Sequence, residues 1–220
     1  MSIKTNLSKI KKKLPSHVTL VSVSKTKPIE DIMRAYLLGH RVFGENKIQE
    51  MVEKYQKMPK DIQWHMIGNL QRNKVKYMAS FVDLIHGVDS LKLLKEINKQ
   101  AEKHKRIINC LIQIKIAQED TKFGMPYEDA KNLISSVEVK KLKNVLIVGL
   151  MGMASFTQDK ILIKKEFKTL KSNFDKLQKT ASNLKILSMG MSGDYTLAIE
   201  NGSTMIRLGS SIFGARNYTN

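Results

Sequence analysis

The sequence carries one cysteine, Cys110, in 220 residues. No disulfide can therefore close within the chain, and CxxC redox motifs and cysteine-rich zinc sites are excluded. The five histidines, His17, His40, His65, His86 and His104, show no HExxH or other close spacing that would hold a metal. No uninterrupted apolar run approaches the ~18 residues of a membrane span. Met1–Pro15 is lysine-rich and amphipathic, without the apolar core of a signal segment. A reducing, cytoplasmic setting with no membrane partner is expected. Aromatic residues are scarce, at 6%, and are not interleaved with the basic runs, so no stacking platform for single-stranded nucleic acid is visible. Zinc-finger and RNP-type motifs are missing. So are a Walker A sequence and a GxGxxG turn, and a nucleoside triphosphate is not indicated.

What is abundant is positive charge: 38 Lys+Arg against 20 Asp+Glu, a net charge of +18. Nucleic acid, an acidic membrane or a phosphorylated ligand could each answer it. The positives are mostly lysines on helical faces, such as Lys11, Lys12 and Lys13, or Lys164, Lys165, Lys168, Lys171, Lys176 and Lys179. Lysine is a hydrated point charge and such faces usually just solvate a helix, so no specific nucleic-acid partner is expected. A normal apolar fraction of 42% argues against disorder. The length suits one domain, residues 1–220, since single cores run to about 200–250 residues.

Short β-branched apolar runs alternate with longer amphipathic stretches. Eight read as strands: Val18–Ser24, Arg41–Phe43, Gln63–Ile67, Val82–His86, Ile107–Ile116, Val145–Leu150, Lys185–Ser188 and Thr204–Leu208. Between them lie helical patterns at Pro28–Leu38, Asn46–Gln56, Gln71–Ala79, Ser90–Lys103, Tyr127–Val137, Gln158–Lys179 and Tyr195–Glu200. In the second last, Ile161, Phe167, Leu170, Phe174 and Leu177 form the apolar stripe. Alternation of this kind means parallel strands joined by crossovers. The expectation is an α/β fold, a single (β/α)8 TIM barrel with an extra N-terminal helix at about Ser2–Leu14. An open doubly wound sheet, the competing arrangement, normally has fewer strands at this length.

The active face of such a barrel lies at the carboxyl ends of its strands. Strand one is followed by Ser24-Lys25-Thr26-Lys27-Pro28. Lysine is among the residues least often buried, and Pro28 can open the next helix, which leaves Lys25 closest to the barrel mouth. Strands seven and eight run into the Gly/Ser-rich segments Ser188–Asp194 and Arg207–Gly214. Backbone N–H groups, hydroxyls and a helix N-terminus in such turns can cradle an oxyanion, and the loops after strands seven and eight are where barrels commonly bind phosphate. A partly buried lysine beside other cations can form a Schiff base with an aldehyde. Pyridoxal phosphate is an aldehyde that carries a phosphate, and Arg207 at the end of strand eight is available to its ring nitrogen.

VSVSKTKP (Val21–Pro28), FGENKIQE (Phe43–Glu50), WHMIGNLQRNK (Trp64–Lys74), KFGM (Lys122–Met125), GLMGM (Gly149–Met153), LSMGMSGD (Leu187–Asp194) and GSTMIRLGSSIFGAR (Gly202–Arg216) run in order over nearly the whole chain. Together they make it resemble the family of pyridoxal-phosphate homeostasis proteins, single-domain relatives of the alanine racemase barrel, pyridoxal-phosphate fold type III. The resemblance implies that Lys25 holds the cofactor covalently as an aldimine. It implies that Ser192, Gly209 and Ser210 bind the phosphate, that Arg207 lies near the pyridine nitrogen, and that Asn46 lies near the cofactor. His65 and Asn73 fall in a strong signature without an assigned task, and Trp64 is as well explained by core packing. One departure stands out. The family usually has an asparagine two residues past a glutamine or valine after strand five, whereas Gln113 here is followed by Ile114 and Lys115. Ser210 stands where threonine is frequent, and both supply a hydroxyl.

The resemblance implies a cofactor carrier, not an enzyme, that buffers pyridoxal 5'-phosphate or hands it to pyridoxal-phosphate-dependent apo-enzymes; a monomer is the expected state, although the sequence does not decide it. A low-activity amino-acid racemase-like enzyme is the alternative. An arginine at the ring nitrogen keeps its own proton and so weakens the ring as an electron sink. Racemases of the related family add a second base with help from a further β-domain, for which a chain ending at Asn220 leaves no room.

Overall fold

The computed structural model describes residues 2–119 and 123–215. Lys122 of KFGM and Arg216 of the last motif lie outside the described residues. Helix α1 (Ile3–Lys13) comes first, started by the Ser2 hydroxyl, which accepts from the Thr5 N–H. Eight strands follow: β1 (Thr19–Val23), β2 (Val42–Glu45), β3 (Gln63–Met66), β4 (Leu84–Val88), β5 (Ile108–Gln113), β6 (Val145–Met151), β7 (Ile186–Ser188) and β8 (Met205–Leu208). Each pairs in parallel with the next, and β1 pairs with β8 through Leu20↔Ile206 and Val21↔Arg207, closing the barrel. The open-sheet arrangement is thereby excluded.

The crossovers carry α2 (Ile29–Leu37), α3 (Ile48–Lys57), α4 (Leu91–Lys103), α5 (Tyr127–Ser135), α6 (Val137–Lys140), α7 (Lys160–Gln178) and α8 (Tyr195–Glu200), and α9 (Ser210–Phe213) follows β8. Asp159 starts α7 by accepting from the N–H groups of Ile161 and Leu162, and Ser90 starts α4 by accepting from Leu93. Three expectations shift. Gln71–Ala79 contains only a 3-10 helix, Arg72–Tyr77. Val75 is its buried residue, and Met78 and Ala79 are buried just past its end, Met78 at the 3-10 spacing of three. Tyr127–Val137 breaks at Ser136, whose hydroxyl accepts from Val139 and starts a new helix. In α7 the buried stripe is Ile163, Phe167, Leu170, Phe174 and Leu177, while Ile161 is 83% exposed. It sits about one and two-thirds turns before Phe167, off the inner face.

Two apolar layers result. Outward-facing strand residues such as Phe43, Trp64, Ile85, Cys110, Leu187 and Ile206 join the inner faces of the helices in one large cluster. Each such large side chain contributes about 1.5–3 kcal/mol on burial. Val21, Leu84, Leu111, Met151 and Met205, from five strands, form a second cluster inside the barrel. Cys110 is fully buried on β5, and that burial pushes its thiol well above its ordinary pKa. Lysines 164, 165, 168, 176 and 179 are exposed along α7, and Lys171 pairs with Asp175 at 2.6 Å, the solvated face expected of them. Among the described residues no helix is long and apolar enough to cross a membrane.

Candidate functional site

The turn after β1 is anchored from below. Lys54, on the inner face of α3, is 5% exposed. Its Nζ donates to the Ser24 carbonyl at 2.8 Å, to Glu45 Oε1 at 2.7 Å and to Glu50 Oε1 at 2.6 Å. The Ser24 hydroxyl donates to the same Glu45 oxygen at 2.6 Å. Glu45 Oε2 is buried without a hydrogen-bond partner among the described residues. Burial pushes the Glu45 carboxyl up to about 7, against the pull of Lys54 and Ser24. Thr26 then takes a left-handed conformation, φ 63°, with its N–H on Glu50 Oε1 at 2.5 Å. The ion cluster and this bend fix the direction in which Lys25 leaves the strand.

Opposite, the loop after β7 folds on itself, with Asp194 Oδ1 accepting from the Met191 N–H at 2.6 Å. Ser192 Oγ accepts from the Gly209 N–H at 3.3 Å, tying this loop to the one after β8. Lys27 Nζ donates to the carbonyls of Phe213, Gly214 and Ala215 at the end of α9. Arg207 points inward from β8 and is 4% exposed. Its guanidinium donates to Ser188 Oγ at 2.6 Å and to the Gly152 carbonyl at 3.2 Å. Burial lowers its pKa to about 10, with Asp194 opposing, so it keeps its charge at neutral pH. The loop after β6 is held by Ser155, whose N–H and hydroxyl both donate to the buried Glu166 of α7, at 2.8 and 2.6 Å.

These loops enclose a cavity of about 510 Å3 at the carboxyl ends of the strands. Lys25, Asn46, Ser192, Arg207, Gly209 and Ser210, the six residues singled out from sequence, all line it. Asn46 lines it because α3 starts at Ile48, two residues later than expected. Gly68 presses against it: a Cβ there would lie 2.5 Å from the Asn46 carbonyl oxygen and 2.8 Å from its Cα. Gly68→Ala is expected to cost about 1–3 kcal/mol, measured as a lower midpoint in urea. The volume is that of an ordinary small-ligand site. Its donors, an amine, a guanidinium, two hydroxyls and the turn leading into α9, suit an anionic ligand with a reactive carbonyl.

Other residues fall elsewhere. Trp64 is fully buried core, and Asn73 is exposed on the 3-10 helix. His65 lies inside the barrel, below the cavity walls. Lys115 is half-buried and is not among the cavity-lining residues. Sequence reasoning missed Glu45, Lys54, Ser155, Glu166, His86 and Ser188. A signal existed for the first two, since VFGE ends a strand on a carboxylate and Lys54 follows Ile48 and Met51 at helical spacing.

The sequence profile of the alanine racemase N-terminal domain matches residues 1–217. The pyridoxal phosphate homeostasis protein of Pasteurella multocida is 38% identical over 234 residues, covering 100% of both chains. The chain belongs to the pyridoxal phosphate homeostasis protein family. The homeostasis protein of Aquifex aeolicus is 39% identical over 201 residues, covering 90% of this chain and 87% of that one. Among solved structures, PipY of Synechococcus elongatus PCC7942 without PLP superposes with a TM-score of 0.91 at 33% identity, covering 97% of this chain and 100% of that chain. PipY with PLP bound superposes at 0.88 and 32% identity with the same coverage. The barrel of this homeostasis protein family member is therefore the fold its sequence resemblance implied.

Proposed function

We propose that this chain holds pyridoxal 5'-phosphate reversibly as a Schiff base on Lys25, and serves cofactor homeostasis by buffering it or delivering it to apo-enzymes, without turnover of its own. One observation carries this reading: Lys25, Arg207 and the hydroxyls of Ser192 and Ser210 converge on one cavity. A bound relative, PipY with PLP, supports the choice of ligand. The cofactor's aldehyde supplies reversible covalent attachment. Lys25 Nζ forms a C=N bond with the aldehyde carbon, water leaves, and addition of water returns the free amine. Ser192, Gly209 and Ser210 hold the phosphate. Arg207, charged at neutral pH, sits at the pyridine nitrogen and disfavours its protonation, which weakens the ring as an electron sink.

Several other polar groups of the cavity hold its walls, Ser155 among them through Glu166. The Lys27 amine is tied to three carbonyls and Asp194 to the Met191 N–H. Neither group is thereby offered as a second acid or base, which fits a carrier. Purified protein mixed with pyridoxal phosphate is expected to turn yellow and, after borohydride, to carry one pyridoxyl group per chain on the Lys25 peptide. Label spread over the exposed lysines in proportion to their exposure would overturn the reading. α-Proton exchange of amino acids in heavy water, lost in a Lys25→Ala variant, would replace it with the racemase-like enzyme.

A further inference from the structure

Beneath Arg207 in the cavity wall, three more side chains continue inward in a chain that cofactor binding alone does not call for. His65 of β3, His86 of β4, Ser188 of β7 and Arg207 of β8 face one another inside the barrel, and Asp83 stands just before β4, at the opposite end from the cavity. With both rings neutral and Asp83 ionised, a single assignment of donors and acceptors satisfies every link. A guanidinium has no acceptor, so Ser188 Oγ accepts from Arg207 at 2.6 Å. The serine proton then goes to its other partner, His86 Nδ1, at 3.1 Å. A neutral imidazole accepting at Nδ1 carries its proton on Nε2, which donates to His65 Nδ1 at 3.1 Å. His65 in turn holds its proton on Nε2, facing the half-exposed Asp83 carboxylate at 3.5 Å.

The surroundings of His86, Asp83 and Arg207 favour this state. Burial, with His65 and Arg207 alongside, keeps the His86 pKa well below its ordinary value, so the ring is neutral. The His65 bond, with Arg106 nearby, holds the Asp83 carboxyl below its usual range. Arg207 is faced by Ser188, by the Gly152 carbonyl and by Asp194. A positive donor thus begins the series and a negative acceptor ends it.

We propose that Ser188, His86, His65 and Asp83 are a one-directional hydrogen-bond relay that holds Arg207 in place at the cavity, with Ser188 and His86 as positioning residues for the ring that Arg207 meets. The ligand follows from the function proposed above; the relay itself does not depend on it.

Two measurements test the relay. Nitrogen NMR of ligand-free protein labelled at its histidines is expected to show His86 and His65 as Nε2–H tautomers. Ser188→Ala should move the His86 Nδ1 resonance by removing its donor. Added pyridoxal phosphate should bind Ser188→Ala about tenfold more weakly, with a shifted absorption maximum. Ser188→Thr, which keeps the hydroxyl, should restore both. An Nδ1–H tautomer at His86, wild-type affinity and spectrum in Ser188→Ala, or a Ser188→Thr variant that behaves like alanine overturns the proposal. If the unaltered protein takes up no pyridoxal phosphate, the cofactor reading fails while the tautomers still decide the relay.

Discussion

Lys25→Ala is expected to take the borohydride-fixed adduct from one per chain to none. Retention of pyridoxal phosphate should weaken at least about a hundredfold, or ~2.8 kcal/mol, because only the phosphate and ring contacts remain. The barrel should survive. Lys25 lies in the turn beyond β1, and that turn is set by Lys54, Glu50 and the Thr26 bend, none of which the substitution removes. The loss in unfolding free energy should be about 1 kcal/mol or less. Lys25→Arg is the sharper control. It keeps the positive charge at the mouth of the cavity, yet a guanidinium does not condense with an aldehyde under these conditions. Both variants should stay colourless, as read by absorbance and by mass of the borohydride-treated chain. A full equivalent of fixed cofactor in either would place the covalent site elsewhere.

Lys54→Met should be the most costly single change at the site's foundations. It removes one cation from between two carboxylates, and the side chains of Glu45 and Lys54 are only 0% and 6% exposed. Breaking a buried pair in this way typically costs about 3–5 kcal/mol, because the abandoned charge has no water to turn to. The effect carries a pH signature. The Glu45 carboxyl titrates near 7 in the folded barrel and near 4.5 when exposed. The folded state therefore binds more protons than the unfolded state between those values. The Glu45 contribution to stability is fully present below about 4.5 and is lost as pH rises to about 7. Without Lys54 the carboxyl moves higher still, and the decline continues to higher pH. Urea midpoints of Lys54→Met and the unaltered protein should thus lie closer together at acid pH than at pH 8. A pH-independent gap would mean that Glu45 is already neutral beside Lys54.

The barrel was legible because its evidence is periodic and local. Each of the eight apolar runs overlaps one strand, and the turns after the first, seventh and eighth supply cavity residues. Boundaries slipped where chemistry and local pattern disagree. Arg41–Phe43 extends to Glu45, since Gly44 and Glu45 look like a turn until Lys54 neutralises the carboxylate. The run Ile107–Ile116 stops at Gln113, and Ile114 keeps only an isolated bridge to Met125. The polar interior was not legible for a different reason. Alternation tells that His65 and His86 face inward, but no sequence spacing brings Ser188 of β7 across to them. That meeting is produced by closure of the sheet. The buried lysine was missed because a rule that sends lysines to water holds for α7 and fails at Lys54 in α3.

Cys110 gives the barrel a built-in clock. Its sulfur is sealed in the layer between β5 and the helices, and a thiol with so high a pKa is slow to attack an electrophile. With a single thiol in the chain, a maleimide-type reagent has one target, and it can react only while the wall is open. The labelling rate in native buffer then measures how often the β5 wall parts from its helices. Comparing that rate with and without pyridoxal phosphate would show whether a ligand at the mouth tightens a wall it does not touch.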